Sequence, residues 1–144
     1  MLSNRIVIHR RLATIDLLLC AGCAGSDTYE LDVSLVTGLV AGPEFTYVQT
    51  ELLGSTSGSS FAVRDSADLR ARTGMAFDSG RRVATFNTTS GQYRVRVRLF
   101  RDNGALLAEQ TVAVSIHDNF ALRVHVTRDC VGVVCPSAGG SPAF

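Results

Sequence analysis

Cysteine, histidine, serine and clustered arginine are the residue types in this sequence whose spacing could support chemistry. The segment Gly54-Ser55-Thr56-Ser57-Gly58 has the outline of a nucleophile elbow, but its central residue is Thr56 and no helical pattern follows. An elbow needs a serine on a sharp strand-to-helix turn, so this stretch reads as a flexible serine loop. Cys20 and Cys23 lie in an apolar N-terminal region, and Cys130 and Cys135 lack a nearby histidine with a defined partner. His9 falls in the N-terminal region, His117 at a turn and His125 on the outward side of a strand. Neither they nor the cysteines match a zinc-ligand spacing, so no metal and no cofactor are expected. All 14 basic residues are arginine. Schiff-base chemistry and a Walker-type phosphate loop, which need lysine, are thereby excluded. With no convergent acid, base or nucleophile, the chain is not expected to be an enzyme.

The charged candidate is the row Arg94, Arg96 and Arg98, followed by Arg101. Alternate residues of a strand share one sheet face, so the three arginines form a line able to meet a phosphate, an anionic polysaccharide or a lipid headgroup. The competing expectation is a solvated strand face neutralised by Glu30 and Asp32 or by Glu109, each pair contributing about 0.2–1 kcal/mol. The net charge is only +1 and no aromatic alternates with the arginines, so nucleic acid is not an expected partner. Cys130 and Cys135 enclose four residues. They either close a small disulfide worth on the order of 2 kcal/mol or pair with partners beyond this chain. Asn87-Thr88-Thr89 fits a glycan acceptor pattern and is read as chance.

The elements that must position these residues are strands. Tyr29, Leu31, Val33 and Leu35 alternate with polar residues, as do Tyr93, Val95, Val97 and Leu99 with the arginines. That period of two marks half-buried strands. Further β-rich runs are Phe45–Leu53, Phe61–Val63, Arg82–Phe86, Leu106–Ile116 and Phe120–Val126. In the second-last run, Leu106, Ala108, Val112, Val114 and Ile116 share one parity. Asp102-Asn103-Gly104 supplies hairpin-turn residues. Only Asp65–Thr73 has a helical look, with Ser66 able to cap it and Gly74 to end it. About seven strands in roughly 100 residues, without crossover helices, imply an all-β antiparallel sandwich.

The N-terminus reads differently. Residues 1–11 carry Arg5, Arg10 and Arg11 and no acid, and residues 12–22 are apolar apart from Thr14 and Asp16. This is the layout of a secretory signal, and the run is shorter than the roughly 20 apolar residues of a membrane-spanning helix. The sequence Leu19-Cys20-Ala21-Gly22-Cys23 resembles a bacterial lipobox, with Cys20 where leucine is usual and Asp16 inside the apolar run. The resemblance implies cleavage before Cys23 and a diacylglycerol on its sulfur. The domain plan is then a signal helix over 1–22, a tether over 23–28, a sandwich over 29–128 and a Cys-containing, linker-like tail over 129–144.

Two further stretches carry a likeness. Gly91-Gln-Tyr93-Arg-Val-Arg-Val-Arg-Leu99 is similar to a strand of bacterial immunoglobulin-like and carboxypeptidase-regulatory-like surface domains. Val126-Thr-Arg-Asp-Cys130-Val-Gly-Val-Val-Cys135-Pro136 resembles the junction in uncharacterised exported lipoproteins of myxobacterial type, where a sandwich meets a Cys-rich segment. These resemblances imply an immunoglobulin-like sandwich on a non-enzymatic lipoprotein, exported and anchored to the cell envelope at the outer membrane or cell surface. Its partners would be the membrane, through the lipid, and a cell-envelope glycan or protein. The alternative is a carbohydrate- or anion-binding module using the face of Arg94, Arg96 and Arg98.

Overall fold

The computed structural model describes residues 25–57, 59–133 and 135. Seven strands follow one another: β1 (Thr28–Thr37), β2 (Tyr47–Ser57), β3 (Ser60–Arg70), β4 (Arg81–Thr89), β5 (Gly91–Phe100), β6 (Leu106–Ile116) and β7 (Phe120–Val126). The one helical turn among the described residues is a 3-10 turn at Arg128–Cys130. The strands form a three-stranded sheet, β4-β1-β7, and a four-stranded sheet, β3-β2-β5-β6. The fold is all-β and sandwich-like, with one core cluster fed by both sheets. The signal region 1–22 and the lipid-acceptor candidate Cys23 lie outside the described residues.

Alternation builds that core. Leu31, Val33 and Leu35 on β1 are fully buried, as are Val95 and Val97 on β5 and Val48 on β2. Each presents one side chain in two to the interior, which is what a two-faced sheet requires. The loop between β3 and β4 adds Phe77, whose ring meets Phe45 edge-on with centroids 5.4 Å apart. Its carbonyl also accepts the Thr37 N–H at 3.3 Å. Gly42, at φ 90°, lets the β1–β2 loop pass close to that segment: a Cβ there would stand 2.8 Å from the Thr73 backbone nitrogen.

Several sequence expectations are corrected. Asp65–Thr73 is not helical; β3 runs through to Arg70, paired with β2 from Tyr47↔Arg70 to Ser57↔Ser60. The Ser66 N–H is bonded to its neighbour Asp65 Oδ1 at 2.8 Å, not capped for a helix. The serine-rich stretch is mostly strand as well, since β2 continues to Ser57 and β3 begins at Ser60. On β6 the shared parity fails at its start. A register shift beside Leu99/Phe100 buries Leu107 and Ala108 together and leaves Leu106 half exposed, at 51%.

The expected antiparallel arrangement also has an exception: β7 pairs with β1 in parallel, from Leu31↔Phe120 to Thr37↔Val126. Direction explains it. β2 and β6 both run antiparallel to β5, so they share a direction. β1 turns into β2 and β6 turns into β7, so β1 and β7 both run the opposite way.

Beyond β7 the chain returns to the four-stranded sheet. Val131 bridges Ala108, and the Gly132 N–H donates to the Leu107 carbonyl at 3.3 Å. Cys130, buried in the core, is joined to Cys135 by a disulfide with Cα atoms 5.4 Å apart. Arg128 adds a clasp to the β1–β2 loop: its guanidinium donates to both Glu44 carboxylate oxygens, at 2.6 and 2.9 Å, and to the Gly38 carbonyl at 3.1 Å.

The clasp has a pH signature. Hydrogen bonding from Arg128, then from the Val40 N–H, holds the Glu44 carboxyl below its usual 4.5. A group depressed on folding adds stability above its unfolded pKa and loses it as pH falls through the folded value. Urea midpoints measured against pH should therefore show Glu44→Gln less stable than the parent near neutrality, with the gap closing below pH 4.5. Separately, the Cys130→Ser, Cys135→Ser double variant should lose about 2 kcal/mol by the same urea assay, as expected for a short closed loop.

Candidate functional site

The arginine row lies on the outer face of the four-stranded sheet. Val95, Val97 and Leu99 of β5 point to the core, so Arg94, Arg96 and Arg98 point away from it. Register then decides their neighbours. Arg98, Arg96 and Arg94 stand opposite Gln49, Glu51 and Leu53 on β2, and opposite Glu109, Thr111 and Ala113 on β6.

Glu51 organises this face. Its carboxylate accepts Arg96 Nε at 2.7 Å and Arg98 Nη2 at 2.8 Å. Arg96 Nη2 reaches the same carboxylate at 2.5 Å. Arg98 also donates to Gln49 Oε1 at 2.6 Å. The Glu51 side chain is only 9% exposed, while those of Arg96 and Arg98 keep 29% and 25% of their surface. Two guanidinium groups thus roof one carboxylate, and their aliphatic stems exclude water from it. Arg94 takes another partner: its guanidinium lies 4.2 Å above the ring centroid of Phe61. At a partly exposed site such a contact contributes about 0.5–1 kcal/mol.

The neutralising partners expected from sequence are not the ones found. Asp32 faces Arg82 at 3.5 Å and accepts the Thr85 hydroxyl at 2.6 Å on the other sheet. Among the described residues neither Glu30 nor Glu109 forms an ion pair with the row. Nothing local singles out Glu51, which lies within an otherwise uncharged β-rich run. Its partner on β5 is 45 residues away, and only the β2–β5 register brings the two together.

The remaining candidates are dispersed. His117 Nε2 shares a 2.8 Å hydrogen bond with Ser115 Oγ, which also receives Gln92 at 2.8 Å. His125 is exposed on β7, and Thr56 is exposed on β2. Among the described residues no group of three or more His, Cys, Asp or Glu side chains could hold a metal ion. No helix among them is long and apolar enough to cross a membrane.

At the end of the same outer face lies a shallow groove of about 310 Å³, whose lining includes Tyr47, Gln49, Arg70, Phe100, Arg101 and Asp102. Tyr47 stands directly between Arg70 and Phe100 in the sheet. The Tyr47 and Phe100 rings are tilted at 58°, with centroids 5.8 Å apart. The neighbouring Asp68 carboxylate, followed by burial, raises the Tyr47 phenol above its usual 10.0.

The ion cluster has a clear mutational consequence. Glu51→Ala would leave two half-buried guanidinium groups facing each other without a carboxylate. The expected loss is about 1–3 kcal/mol, below the 3–5 of a fully buried pair, because both arginines keep contact with water. Chemical denaturation checks it, and Glu109→Ala should have a much smaller effect. No known protein-family model matches the chain, and no curated protein sequence matches it.

Proposed function

We propose that the chain is a non-enzymatic cell-envelope lipoprotein whose immunoglobulin-like sandwich serves a structural or recognition role. The observation that carries this reading is the Cys130–Cys135 disulfide. Such bonds persist in oxidising compartments outside the cytoplasm, so the bond supports export. The lipobox-like Leu19–Cys23 supplies the matching address, with a diacylglycerol on Cys23 as anchor. Gly25, Ser26 and Asp27 are exposed and precede β1 without regular structure, as a tether between lipid and domain would.

The immunoglobulin-like assignment draws support from the division of strands between sheets. The chain crosses from one sheet to the other after β1, β3, β4 and β6 and forms hairpins only at β2–β3 and β5–β6. This distribution suits a Greek-key sandwich. The parallel β7 is the departure from that pattern.

The role proposed for the domain is contact with a cell-envelope glycan or protein while the lipid holds the membrane. A separate anion site on Arg94, Arg96 and Arg98 is less favoured, because two of the three are committed to Glu51 and the third to Phe61.

Mass spectrometry of membrane fractions from the native host tests the reading. The expected product begins at a diacylglycerol-modified Cys23 and carries the Cys130–Cys135 bond. Recovery of the chain from the cytoplasm with Met1 intact and both cysteines reduced would overturn it.

A further inference from the structure

We infer that the groove at the Tyr47–Phe100 end of the four-stranded sheet binds carboxylated polysaccharide, that is, a chain of uronic-acid type. Its floor is aromatic. Tyr47 and Phe100 are only half-buried and stand side by side across β2 and β5, on the outer face. Aromatic faces of this kind offer a negative quadrupole to the weakly positive C–H face of a sugar ring, and a flat apolar area to cover.

The walls are cationic. Arg70 flanks Tyr47 on one side, and Arg101 follows Phe100 on the other. Among the described residues neither Arg70 nor Arg101 forms an ion pair, unlike Arg96 and Arg98 farther along β5, of which Arg98 borders the groove with its guanidinium 5.8 Å from the Phe100 ring centroid. Two guanidinium forks without an ion-pair partner among the described residues, bracketing an aromatic floor, suit carboxylates, which they meet with paired N–H donors. Asp102 supplies an acceptor for sugar hydroxyls, and Gln49, whose Oε1 already accepts from Arg98, supplies an amide donor.

Shape points to a polymer. The volume lies at the lower end for a ligand cleft, and the groove is an open trough at a sheet end, not an enclosed pocket. A trough of this kind can hold part of a long chain that enters and leaves freely.

The inference rests on the recognition role proposed above, but its test does not require the lipid. Purified full-length chain would be titrated calorimetrically with polygalacturonate oligomers, neutral cello-oligomers, inorganic phosphate and an acidic peptide. The expected result is binding of the polygalacturonate oligomers, weakened about tenfold in Arg70→Gln and in Arg101→Gln. Phe100→Leu should weaken it too, and Arg123→Gln on the opposite sheet should leave it unchanged. Thermal melts confirm that each variant folds. Failure of polygalacturonate to bind, or equal binding by the Arg70 and Arg101 variants, would overturn the inference. So would equal or tighter binding of the cello-oligomers, phosphate or the peptide. Binding by a protein found unlipidated in its host would sink the anchoring proposal alone, and a lipidated protein that ignores polygalacturonate would sink only the groove.

Discussion

Everything in this domain depends on β1 being covered on both edges and along one whole face. It is the centre of the smaller sheet, paired with β4 on one side and β7 on the other. Its inward residues Leu31, Val33 and Leu35 are completely withdrawn from water. Three strands make a narrow sheet, and its apolar face must be covered by a second layer. The four-stranded sheet supplies that layer, and the loops that cross between them bring in Phe45 and Phe77 to close the gap. Burial of a leucine of this kind is worth about 1.5–3 kcal/mol, so the row outweighs any surface ion pair in the molecule.

The outer face of the larger sheet obeys a different logic. Among the described residues no second layer covers it, and long side chains cover it themselves. Arg96 and Arg98 lie over Glu51, and Arg94 lies over Phe61. On the opposite side of this sheet, near the hairpin end, the Arg64 side chain crosses Gly54 so closely that a Cβ would stand 2.9 Å from its Cγ. Glycine at 54 is thus a steric requirement of the arginine's path. The three arginines Arg94, Arg96 and Arg98, which look like a charged surface in sequence, are in the fold mostly apolar stems with their charges directed at specific partners.

Which features could be read from the chain follows from the range of the interactions that produce them. Strands β1 and β5 were legible because alternation is local and both strands are interior, so one face of each is fully buried. β3 was not, since it is an edge strand. Most of its residues are exposed, and only Phe61, Ala67 and Leu69 are partly covered. With so weak a pattern, the Ser66 cap signal and the helix-compatible Ala67 and Leu69 suggested a helix; pairing with β2 overrides them. The bulge that exposes Leu106 and the parallel placement of β7 arise from neighbours far away in sequence. The same applies to Glu51 beneath the arginines and to Tyr47 beside Phe100. Each residue was visible in the sequence, but its partner is set by strand register.

The parallel pairing of β1 and β7 has a mechanical meaning. Because the two strands run the same way, the chain enters the fold at one end of the small sheet, at Thr28, and leaves β7 at the other, at Val126. Tension between those two points pulls along the strand axes in opposite senses. The paired positions from Leu31↔Phe120 to Thr37↔Val126 then bear the load together and in shear, where an antiparallel hairpin would open one pair at a time. The Arg128 clasp on Glu44 and Gly38 lies just past the loaded edge and ties the exit to the end of β1. Such an arrangement resists stretching along its length far better than peeling across it.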